Sequence, residues 1–467
     1  MMKSEQHVNV LVVGGGAAGL AAAATIEEAG LSCQVIEAQS HLGGRVQTCA
    51  VPGRGVFDRG AQMVNGDMQA VLELVRQQNM HCAPLPKTGR SLYLFDDHVY
   101  PADEFLPPDK IYDLLEEQIL RWDSPKEILR SLLLRFQWWT TPWESVGEAG
   151  RGLKHLIATH PATAGSLGSA IRQMLLCPEE EALAYSMLTE AFGAAPEMLN
   201  AHATREIISR YASRRDDMEF HFPEGMGGII DALVSTLERP PLLSNPVLKV
   251  VEAEDGMNVH SAQKSWKADH VLIAVPPPAA RQILFEIEGQ DDLFELLGAF
   301  EAGDMIKTAL DYETAFWRLK GLSGTAIFAD PTGLVVTDAS ADDSSDPRLI
   351  AFLGGPEARL WAKLSEPERQ QRLLDQLSRA FGPAVQNPKA ISDAVWVDHR
   401  WSGGGYNATI RINRNAQAMD RLADWPGRVS FAGAELDTTF WGYVEGAILS
   451  GRSAAKAIVD QRICKYQ

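Results

Sequence analysis

A glycine-rich turn close to the N-terminus constrains the fold of this chain more than any other sequence feature. The apolar, β-branched run Val8–Val13 has the character of a buried parallel strand. It leads straight into Gly14–Gly19, whose glycines have the GxGxxG spacing, and an alanine-rich helical stretch then extends to Ala29, with Gly30 as its C-cap. The first glycine allows a tight turn, the second lets the backbone approach a pyrophosphate, and the third lets the helix pack on the strand. We therefore predict that the chain begins with a nucleotide-binding βαβ unit.

An acidic residue and a second glycine loop extend this pattern. A second strand, Cys33–Ile36, ends at Glu37, the position from which a carboxylate hydrogen-bonds a ribose hydroxyl. The helix N-terminus supplies the positive end that a diphosphate needs. These features predict a bound dinucleotide but leave NAD and FAD open. The following Gly43-Gly44-Arg45 resembles the second phosphate-contacting loop of flavoproteins with a glutathione-reductase-type FAD domain, where an arginine can neutralise the diphosphate.

Two later segments return to strand-like sequence punctuated by glycine. The first contains Gly225–Gly228 and predicted strands over Asn245–Val251 and Val271–Val275. The second contains Val429–Glu435, followed by a small-residue helix that we predict to run to about Ile458. Together with the N-terminal unit, these segments predict one α/β domain that is assembled from three separated stretches of chain.

The sequence between these segments has a different character. Helical patterns cover Pro178–Ala191 and Glu366–Phe381, among others, whereas the acidic stretch Asp338–Pro347 is expected to be a solvated loop. Core packing between helices is the favoured interpretation of Trp138, Trp139 and Trp143, and an aromatic substrate channel is the alternative. The predicted boundaries are 7–88, 222–300 and 396–463 for the nucleotide-binding domain, and 89–221 and 301–395 for a substrate-binding domain with a helical part at about 104–216.

Composition narrows the choice of partners and compartment. The 467 residues carry 43 Lys and Arg against 61 Asp and Glu, a formal net charge of −18, so nucleic acid and anionic membrane are unexpected partners. The five cysteines form neither a CxxC motif nor a Cys/His cluster, which predicts no disulfide framework and no metal site, and favours a reducing cytoplasm. The longest apolar run, Val10–Ala24, contains glycines and is shorter than the ~20 residues of a spanning helix.

The motifs together resemble those of the flavin-containing amine oxidase family, which includes monoamine oxidases, polyamine oxidases and L-amino-acid oxidases. The resemblance extends over almost the whole chain and rests on the order of these pieces: Gly14–Leu20, Gly43–Arg45, Asp58–Ala61, Val275–Pro277, Lys307, Ser402–Tyr406 and Ala432–Glu435. One departure is Ala61, where the family usually has a second glycine.

The resemblance implies a fold, a cofactor and a set of cofactor-binding residues. The implied fold is α/β, with a glutathione-reductase-type Rossmann FAD-binding domain built from discontinuous segments and an α+β substrate-binding domain with a helical insert. The implied FAD-binding residues are Gly14, Gly16, Ala17, Ala18, Gly19, Glu37, Ala38, Gly44, Arg45, Gly60, Ala61, Gln62, Met63, Val247, Gly433, Glu435, Gly442, Tyr443 and Val444.

Three residues are the candidates for the chemistry. Lys307 is similar to the family lysine that holds a water at flavin N5 and assists reoxidation by oxygen, and a lysine among apolar neighbours on a strand is costly unless it is paired or functional. Tyr406 and Tyr443 match the two aromatic residues that flank the substrate nitrogen, where electron-rich ring faces suit a small amine. Their neighbours Phe440 and Trp441 differ from the commonest family pattern.

The mode of flavin attachment is also implied by the resemblance. In mammalian-type monoamine oxidases the motif Ser-Gly-Gly-Cys-Tyr carries the cysteine that is bonded to the flavin ring. Here the stretch Ser402–Tyr406 has Gly405 at that position, and glycine cannot form a thioether. We therefore expect non-covalent FAD.

The expected function is oxidation of an amine to an imine that hydrolyses, with O2 or a redox protein as the electron acceptor. An L-amino-acid oxidase is an alternative that needs an arginine for the substrate carboxylate, such as Arg90 or an arginine of the helical insert. A flavin desaturase or porphyrinogen oxidase, and a non-enzymatic FAD-binding scaffold, are further alternatives with less reason to retain Lys307 together with both tyrosines. The sequence leaves a homodimer open.

Overall fold

A computed structural model describes residues 6–101, 165–340 and 346–466, apart from residues 52, 54, 87, 97, 175 and 214–217. The cluster Trp138, Trp139 and Trp143 and most of the predicted helical part lie outside the described residues. No helix among the described residues combines the length and the apolar character needed to cross a bilayer.

Strands and helices are interspersed along the chain, and several follow an element of the same kind. In chain order the strands are β1 (Gln6–Val13), β2 (Cys33–Ile36), β3 (Thr48–Val51), β4 (Gly55–Asp58), β5 (Met63–Val64), β6 (Ala83–Pro84), β7 (Arg90–Phe95), β8 (His98–Pro101), β9 (Phe220–His221), β10 (Val247–Ala253), β11 (Gly256–Ser261), β12 (Ser265–Ile273), β13 (Leu284–Glu286), β14 (Phe300–Ala302), β15 (Met305–Asp311), β16 (Leu322–Phe328), β17 (Leu334–Asp338), β18 (Arg348–Gly354), β19 (Ala390–Val395), β20 (Ala408–Ile410) and β21 (Val429–Phe431). The helices are α1 (Ala17–Glu28), α2 (Gln69–Gln77), α3 (Leu167–Gln173), α4 (Pro178–Phe192), α5 (Ala201–Ser209), α6 (Gly227–Ser235), α7 (Pro277–Ala280), α8 (Gln290–Leu297), α9 (Phe316–Leu319), α10 (Gly355–Trp361), α11 (Glu366–Phe381), α12 (Ala418–Ala423) and α13 (Val444–Tyr466).

The first large sheet joins the three segments that the glycine patterns connected. Strand β1 pairs in parallel with β2 on one side and with β12 on the other, and β12 also pairs in parallel with β21. Strands β10 and β11 extend this sheet by antiparallel pairing, and β13 completes it at its edge. The central strands are buried apolar runs because helices cover a parallel sheet on both faces. The predicted α/β fold with a discontinuous Rossmann-type sheet is confirmed.

The second large sheet has the strand order β19-β15-β18-β17-β16-β7-β8. Its strand β15 is hydrogen-bonded on both edges, to β18 and to β19, so all seven of its residues are buried. Strand β16 pairs in parallel with β7, which brings residues 90–101 into the same sheet as residues 305–395. A separate apolar core lies between this sheet and helix α11.

Short pairings connect the two large sheets. Strand β14 pairs with β20, and the backbone N–H of Gly405 donates to the carbonyl of Gly303 at 2.9 Å, just before β15 begins. Strands β5 and β6 both pair with β9. The pairing of β14 with β20 and the bond from Gly405 to Gly303 hold the 402–410 segment against the start of β15.

Two element boundaries and one loop differ from the sequence-based expectation. Helix α1 ends at Glu28 rather than Ala29, and α13 continues well beyond Ile458 to Tyr466. Asp338 is not part of a solvated loop: it ends β17, is 3% exposed, and accepts hydrogen bonds from Trp317 and Arg318. Its burial follows from this pairing, because a buried carboxylate is stable only when its charge is compensated.

Candidate active site

The glycine turn and Glu37 form one hydrogen-bonded unit. The backbone N–H of Gly15 donates to Oε2 of Glu37 at 2.7 Å, and the N–H of Gln39 donates to its Oε1 at 2.8 Å. A Cβ atom at Gly15 would lie 2.4 Å from Cδ2 of Leu42, so a larger residue in this turn would require the Leu42 side chain to move. The carboxylate predicted to bind a ribose is therefore fixed in orientation, and each oxygen retains a lone pair for a further donor.

The two predicted phosphate loops lie against each other. The N–H of Gly43 donates to the carbonyl of Gly15 at 2.9 Å, and Gly16 and Gly43 form an isolated parallel bridge. Gly44 has a φ of 59°, in the left-handed region that glycine adopts most readily. The structure thus brings together the two loops that the sequence places about 25 residues apart, as a dinucleotide diphosphate site requires.

Arg45 is paired with Glu435, a contact that the sequence did not predict. The guanidinium and the carboxylate form a bidentate pair, with Nη1–Oε1 at 2.5 Å and Nη2–Oε2 at 2.9 Å, and the Glu435 side chain is fully buried. Arg45 also donates to the carbonyl of Tyr406 at 2.9 Å and to Oδ1 of Asn407 at 3.0 Å. Glu435 in turn accepts from the N–H of Ala408 at 3.1 Å. Two residues expected to bind FAD separately therefore bind each other and hold the segment that carries Tyr406.

Two buried polar atoms provide a test of whether the site fits FAD. The side-chain oxygens Oε1 of Gln62 and Oδ1 of Asn245 are buried without a hydrogen-bond partner among the described residues. Asn245 lies beside the ribose-binding candidate, since its N–H donates to the carbonyl of Glu37 at 2.9 Å. A buried acceptor without a hydrogen-bond partner costs free energy, and a cofactor with donor groups along this path would supply the missing hydrogen bonds. The residues present fit FAD.

The remaining cofactor candidates lie around the same segments. Met63 contacts the apolar cluster of Phe57, Trp396 and Tyr406. The N–H of Gly442 donates to the carbonyl of Ala434 at 2.9 Å, and Val444 begins α13. Val247 begins β10, two residues after Asn245. Their positions agree with a cofactor path, and their direct contact with FAD stays a prediction.

Lys307 is a buried lysine in the middle of β15. Its side chain is 1% exposed, and its Nζ donates to the backbone carbonyls of Asp58 at 2.6 Å and of Gly60 at 2.9 Å. Burial lowers the pKa of Lys307 to about 7, and the Asp58 charge opposes that shift in part. An edge-strand lysine that reaches solvent is excluded, because β15 has a neighbouring strand on each side.

Asp58 stabilises the loop that receives Lys307. Its carboxylate accepts hydrogen bonds from the N–H of Met226, at 3.0 and 3.1 Å, and from the Thr48 hydroxyl. Burial raises the pKa of Asp58, while the neighbouring Lys307 lowers it. The lysine contacts the Asp58 backbone rather than its carboxylate, so the two groups attract without forming a direct ion pair.

An aromatic group surrounds Lys307. Its Nζ lies 5.6 Å from the ring centre of Phe57 and 5.7 Å from that of Phe352. The Phe352 ring meets the Tyr406 ring edge-on at 5.9 Å. The pairing of β15 with β18 produces this arrangement, because Lys307 and Phe352 are directly opposite each other in the register. Tyr406 is therefore connected to Lys307 through one aromatic ring.

Tyr443, the second predicted cage residue, has a different neighbour. Its ring stacks on Tyr211 with 5.0 Å between centres and 27° between planes. Tyr211 is held in turn by Asn65, whose side-chain NH2 donates to the Tyr211 hydroxyl at 3.0 Å. Burial and Glu190 raise the pKa of the Tyr406 phenol, and Tyr443 makes a smaller electrostatic contribution in the same direction. Among the ring contacts between described residues, Tyr443 therefore pairs with Tyr211, and Tyr406 pairs with Phe352.

Glu190 is a site residue that sequence reasoning missed. The Tyr406 hydroxyl donates to its Oε1 at 2.9 Å, although the two residues come from different segments of the chain. Burial raises the pKa of Glu190 to about 7, against the lowering effect of that hydrogen bond. Tyr211 and Phe352 were also missed, because no local pattern marks a residue that reaches the site only through sheet register or helix packing.

Arg90 is poorly placed to bind a substrate carboxylate near Lys307. It is exposed at the start of β7, which lies four strands from β15 in the second sheet. At a spacing of about 4.8 Å, four strands correspond to roughly 19 Å. The arginines of the helical insert before residue 165 lie outside the described residues.

Comparison with known proteins decides the family. A family model described as flavin containing amine oxidoreductase matches residues 17–459. The chain belongs to this family. It is 26% identical to an L-amino acid dehydrogenase of Synechocystis sp. over 98% of this chain and 96% of the relative, and 25% identical to a flavin-containing amine oxidase of Oncorhynchus mykiss over 98% and 87%.

Solved structures show the same fold. A cyclohexylamine oxidase from Brevibacterium oxydans IH-35A superposes with a TM-score of 0.81 at 24% identity, covering 97% of this chain and 99% of that chain. A putrescine oxidase bound to putrescine superposes with a TM-score of 0.78 at 23% identity and the same coverage. The predictions of the family, of the α/β fold and of an oxidoreductase that acts on amines are confirmed, and the family implies a flavin cofactor.

Proposed function

We propose that this flavin-containing amine oxidoreductase oxidises the C–N bond of a small amine to an imine, which hydrolyses to an aldehyde or ketone. Bound FAD supplies the electron acceptor for a hydride from the carbon that bears nitrogen. Dioxygen is the proposed final acceptor, with hydrogen peroxide as co-product. The observation that carries this proposal is the contiguous group of Lys307, Phe352 and Tyr406, in which a buried lysine and an aromatic wall adjoin the predicted cofactor path.

The side chains have separable tasks in this proposal. Two of the three donors of the Lys307 ammonium are engaged by backbone carbonyls, which leaves the third to hold a water. Because its pKa is about 7, the lysine can hold or release a proton near neutrality. Tyr406 and Tyr443 orient the amine and exclude water, a positioning effect.

Non-covalent attachment of FAD is part of the proposal. A Cβ atom at Gly405 would lie 3.1 Å from Cβ of Trp396, so a cysteine there would need this tryptophan to move. Acid precipitation should therefore release all of the yellow colour into the supernatant. Flavin that stays with the denatured pellet would contradict this assignment.

The domain boundaries and the compartment are proposals as well. Residues 7–88, 222–300 and 396–463 are proposed to bind FAD, and residues 89–221 and 301–395 to bind substrate. Membership of the two large sheets supports this division, since β7 and β15–β19 share one sheet. Free cysteines among the described residues support a cytoplasmic location.

A second candidate function is oxidation of an L-amino acid with an acceptor other than oxygen. The Synechocystis relative, named an L-amino acid dehydrogenase, favours it. Anaerobic mixing of the yellow holoenzyme with amines and with L-amino acids discriminates the two, because the true substrate bleaches the flavin band. Admission of air then tests the acceptor. Bleaching by amines followed by rapid recovery in air supports the proposal, and bleaching by amino acids alone overturns it.

A further inference from the structure

One face of the Tyr443 ring is covered by a residue from another segment of the chain. The Tyr211 ring stacks on it with 5.0 Å between centres and 27° between planes. Rings at this separation are in direct contact, so no ligand fits between them. A substrate that packs face-on against Tyr443 therefore has to use the opposite face of the ring.

Backbone contacts fix Tyr211 beside the segment that leads to Tyr443. Tyr211 follows the C-terminal end of α5 and forms an isolated antiparallel bridge with Phe440. The N–H of the next residue, Ala212, donates to the carbonyl of Thr439 at 2.7 Å. The register of this bridge places the two tyrosines next to each other, although 232 positions separate them in the sequence.

Polar side chains hold the Tyr211 hydroxyl as well. The NH2 group of Asn65 donates to it at 3.0 Å, and Asn65 is fully buried. The Oδ1 of Asn65 accepts from the N–H of Glu219 at 3.1 Å, which fixes the orientation of the amide. Burial raises the pKa of Tyr211, whereas hydrogen bonds with Ser213 and Tyr443 lower it. The ring that covers Tyr443 is therefore fixed both at its backbone and at its hydroxyl.

We propose that Tyr211 is a positioning residue, which holds the Tyr443 ring in the plane that orients the reacting carbon and confines the substrate to the other face of that ring. This inference deepens the proposed amine oxidation and rests on it. Orientation is important because a misplacement of about 1 Å can cost roughly 10²-fold in rate. Since a positioning effect is expressed in the chemical step, its loss should leave binding of the substrate nearly unchanged.

The test measures anaerobic flavin reduction in the FAD-loaded enzyme by stopped-flow absorbance, with butylamine, benzylamine and L-leucine as probes. Tyr211→Leu removes the ring. It should lower the limiting rate constant for the best probe at least tenfold and change the half-saturating concentration less than threefold. Tyr211→Phe keeps the stacked ring and its backbone bridge, and should retain the wild-type rate constant within threefold. Tyr100→Leu, in the edge strand β8, is the matched control and should leave both parameters unchanged.

A double-mutant cycle separates positioning from a general structural role. If Tyr211 acts through Tyr443, Tyr211→Leu should lower the rate constant less than threefold further when Tyr443→Leu is already present. A structural role elsewhere in the site would instead multiply the two losses. FAD content and melting temperature are measured for each variant, so that a folding defect is recognised.

Each outcome decides between the two proposals. A wild-type rate constant in Tyr211→Leu, an equal loss in Tyr211→Phe and Tyr211→Leu, or losses that multiply in the double variant would overturn the role of Tyr211 while leaving amine oxidation intact. Bleaching of the wild-type flavin by L-leucine alone would overturn amine oxidation, and L-leucine then serves for the comparison of the Tyr211 variants. Bleaching by none of the three probes would overturn both proposals.

Discussion

A single lysine illustrates how burial tunes a residue of this site. Lys307 has two carbonyl partners and two aromatic neighbours, and its ordinary pKa of 10.5 falls to about 7. The lowered pKa means that the folded protein releases this proton several pH units before the unfolded chain does. Between pH 7 and 10.5 the unfolded state binds more protons at this position, so the Lys307 contribution to stability rises with pH.

The same pKa sets a prediction for the oxidative half-reaction. If the ammonium form assists reduction of oxygen, the rate constant for flavin reoxidation should fall as pH rises through about 7. Lys307→Met keeps the length of the side chain without its charge. It should lower the rate constant for flavin reoxidation at least tenfold and lower the rate constant for flavin reduction by the substrate far less. The pH dependence of reoxidation should disappear. Stopped-flow absorbance in both half-reactions measures the effect. Reoxidation at wild-type speed in Lys307→Met would count against this role.

Tyr443 provides a prediction for the reductive half-reaction. Tyr443→Leu removes one aromatic wall and its stack on Tyr211 but leaves the glycine loops intact. The rate constant for anaerobic flavin reduction by the true substrate should fall at least tenfold, while the purified protein stays yellow. A matched control is Phe440→Leu, which removes a neighbouring ring that meets Tyr211 only edge-on. Unchanged reduction in Tyr443→Leu would remove Tyr443 from the site.

At the scale of elements, helix packing positions the nucleotide loop. Helix α1 starts directly after the glycine turn and packs against α13, and the approach is so close that a Cβ atom at Gly451 would lie 2.1 Å from the carbonyl oxygen of Ala18. The small residues at the N-terminal end of α1 make this approach feasible. The C-terminal helix therefore supports the loop that is proposed to bind the diphosphate.

Gly451→Ala tests this packing. The added methyl group has to push α13 from α1, and overpacking of this kind destabilises by about 1–3 kcal/mol. We expect a lower free energy of unfolding and a lower FAD content per chain, measured by chemical denaturation and by absorbance. Ser453→Ala on the exposed face of the same helix is the control and should be neutral. A variant as stable and as yellow as wild type would show that the helices separate easily.

At the scale of the whole molecule, one ion pair at the site joins an N-terminal segment of the chain to a C-terminal one. Arg45 follows the second glycine loop, Glu435 precedes α13, and both contact the 406–408 segment. Breaking a buried pair from one side leaves a desolvated charge, which typically costs about 3–5 kcal/mol. The Arg45 side chain is 24% exposed, which places the expected cost at the lower end of that range.

The prediction concerns the single variants Arg45→Met and Glu435→Leu and the double variant that combines them. Arg45→Met should lower the free energy of unfolding more than the double variant Arg45→Met/Glu435→Leu does, because the double variant leaves no buried charge unpaired. Arg45→Met should also lower FAD retention. Thermal denaturation of the apoprotein isolates the structural part, and FAD titration measures the binding part. Additive losses in the double variant would contradict the coupling.

The sequence alone determined the parts of this protein that local rules encode. The glycine turn, the strand before it and Glu37 after it indicated a dinucleotide site, because a tight turn and a close backbone approach demand glycine at fixed spacing. The residue pattern around Lys307 predicted a strand, and the family motifs indicated the α/β fold. These features depend on neighbours in the chain, and a sequence displays such neighbours directly.

Only the tertiary structure decided which distant residues meet. The pairing of Arg45 with Glu435 joins residues 390 positions apart, and the contact of Tyr406 with Glu190 spans 216 positions. The position of Phe352 over Lys307 depends on the register of two strands, and a shift of that register by one residue would turn Phe352 to the opposite face. The packing of sheets and helices determines which partners compensate each buried charge. A local sequence pattern therefore does not predict these partners.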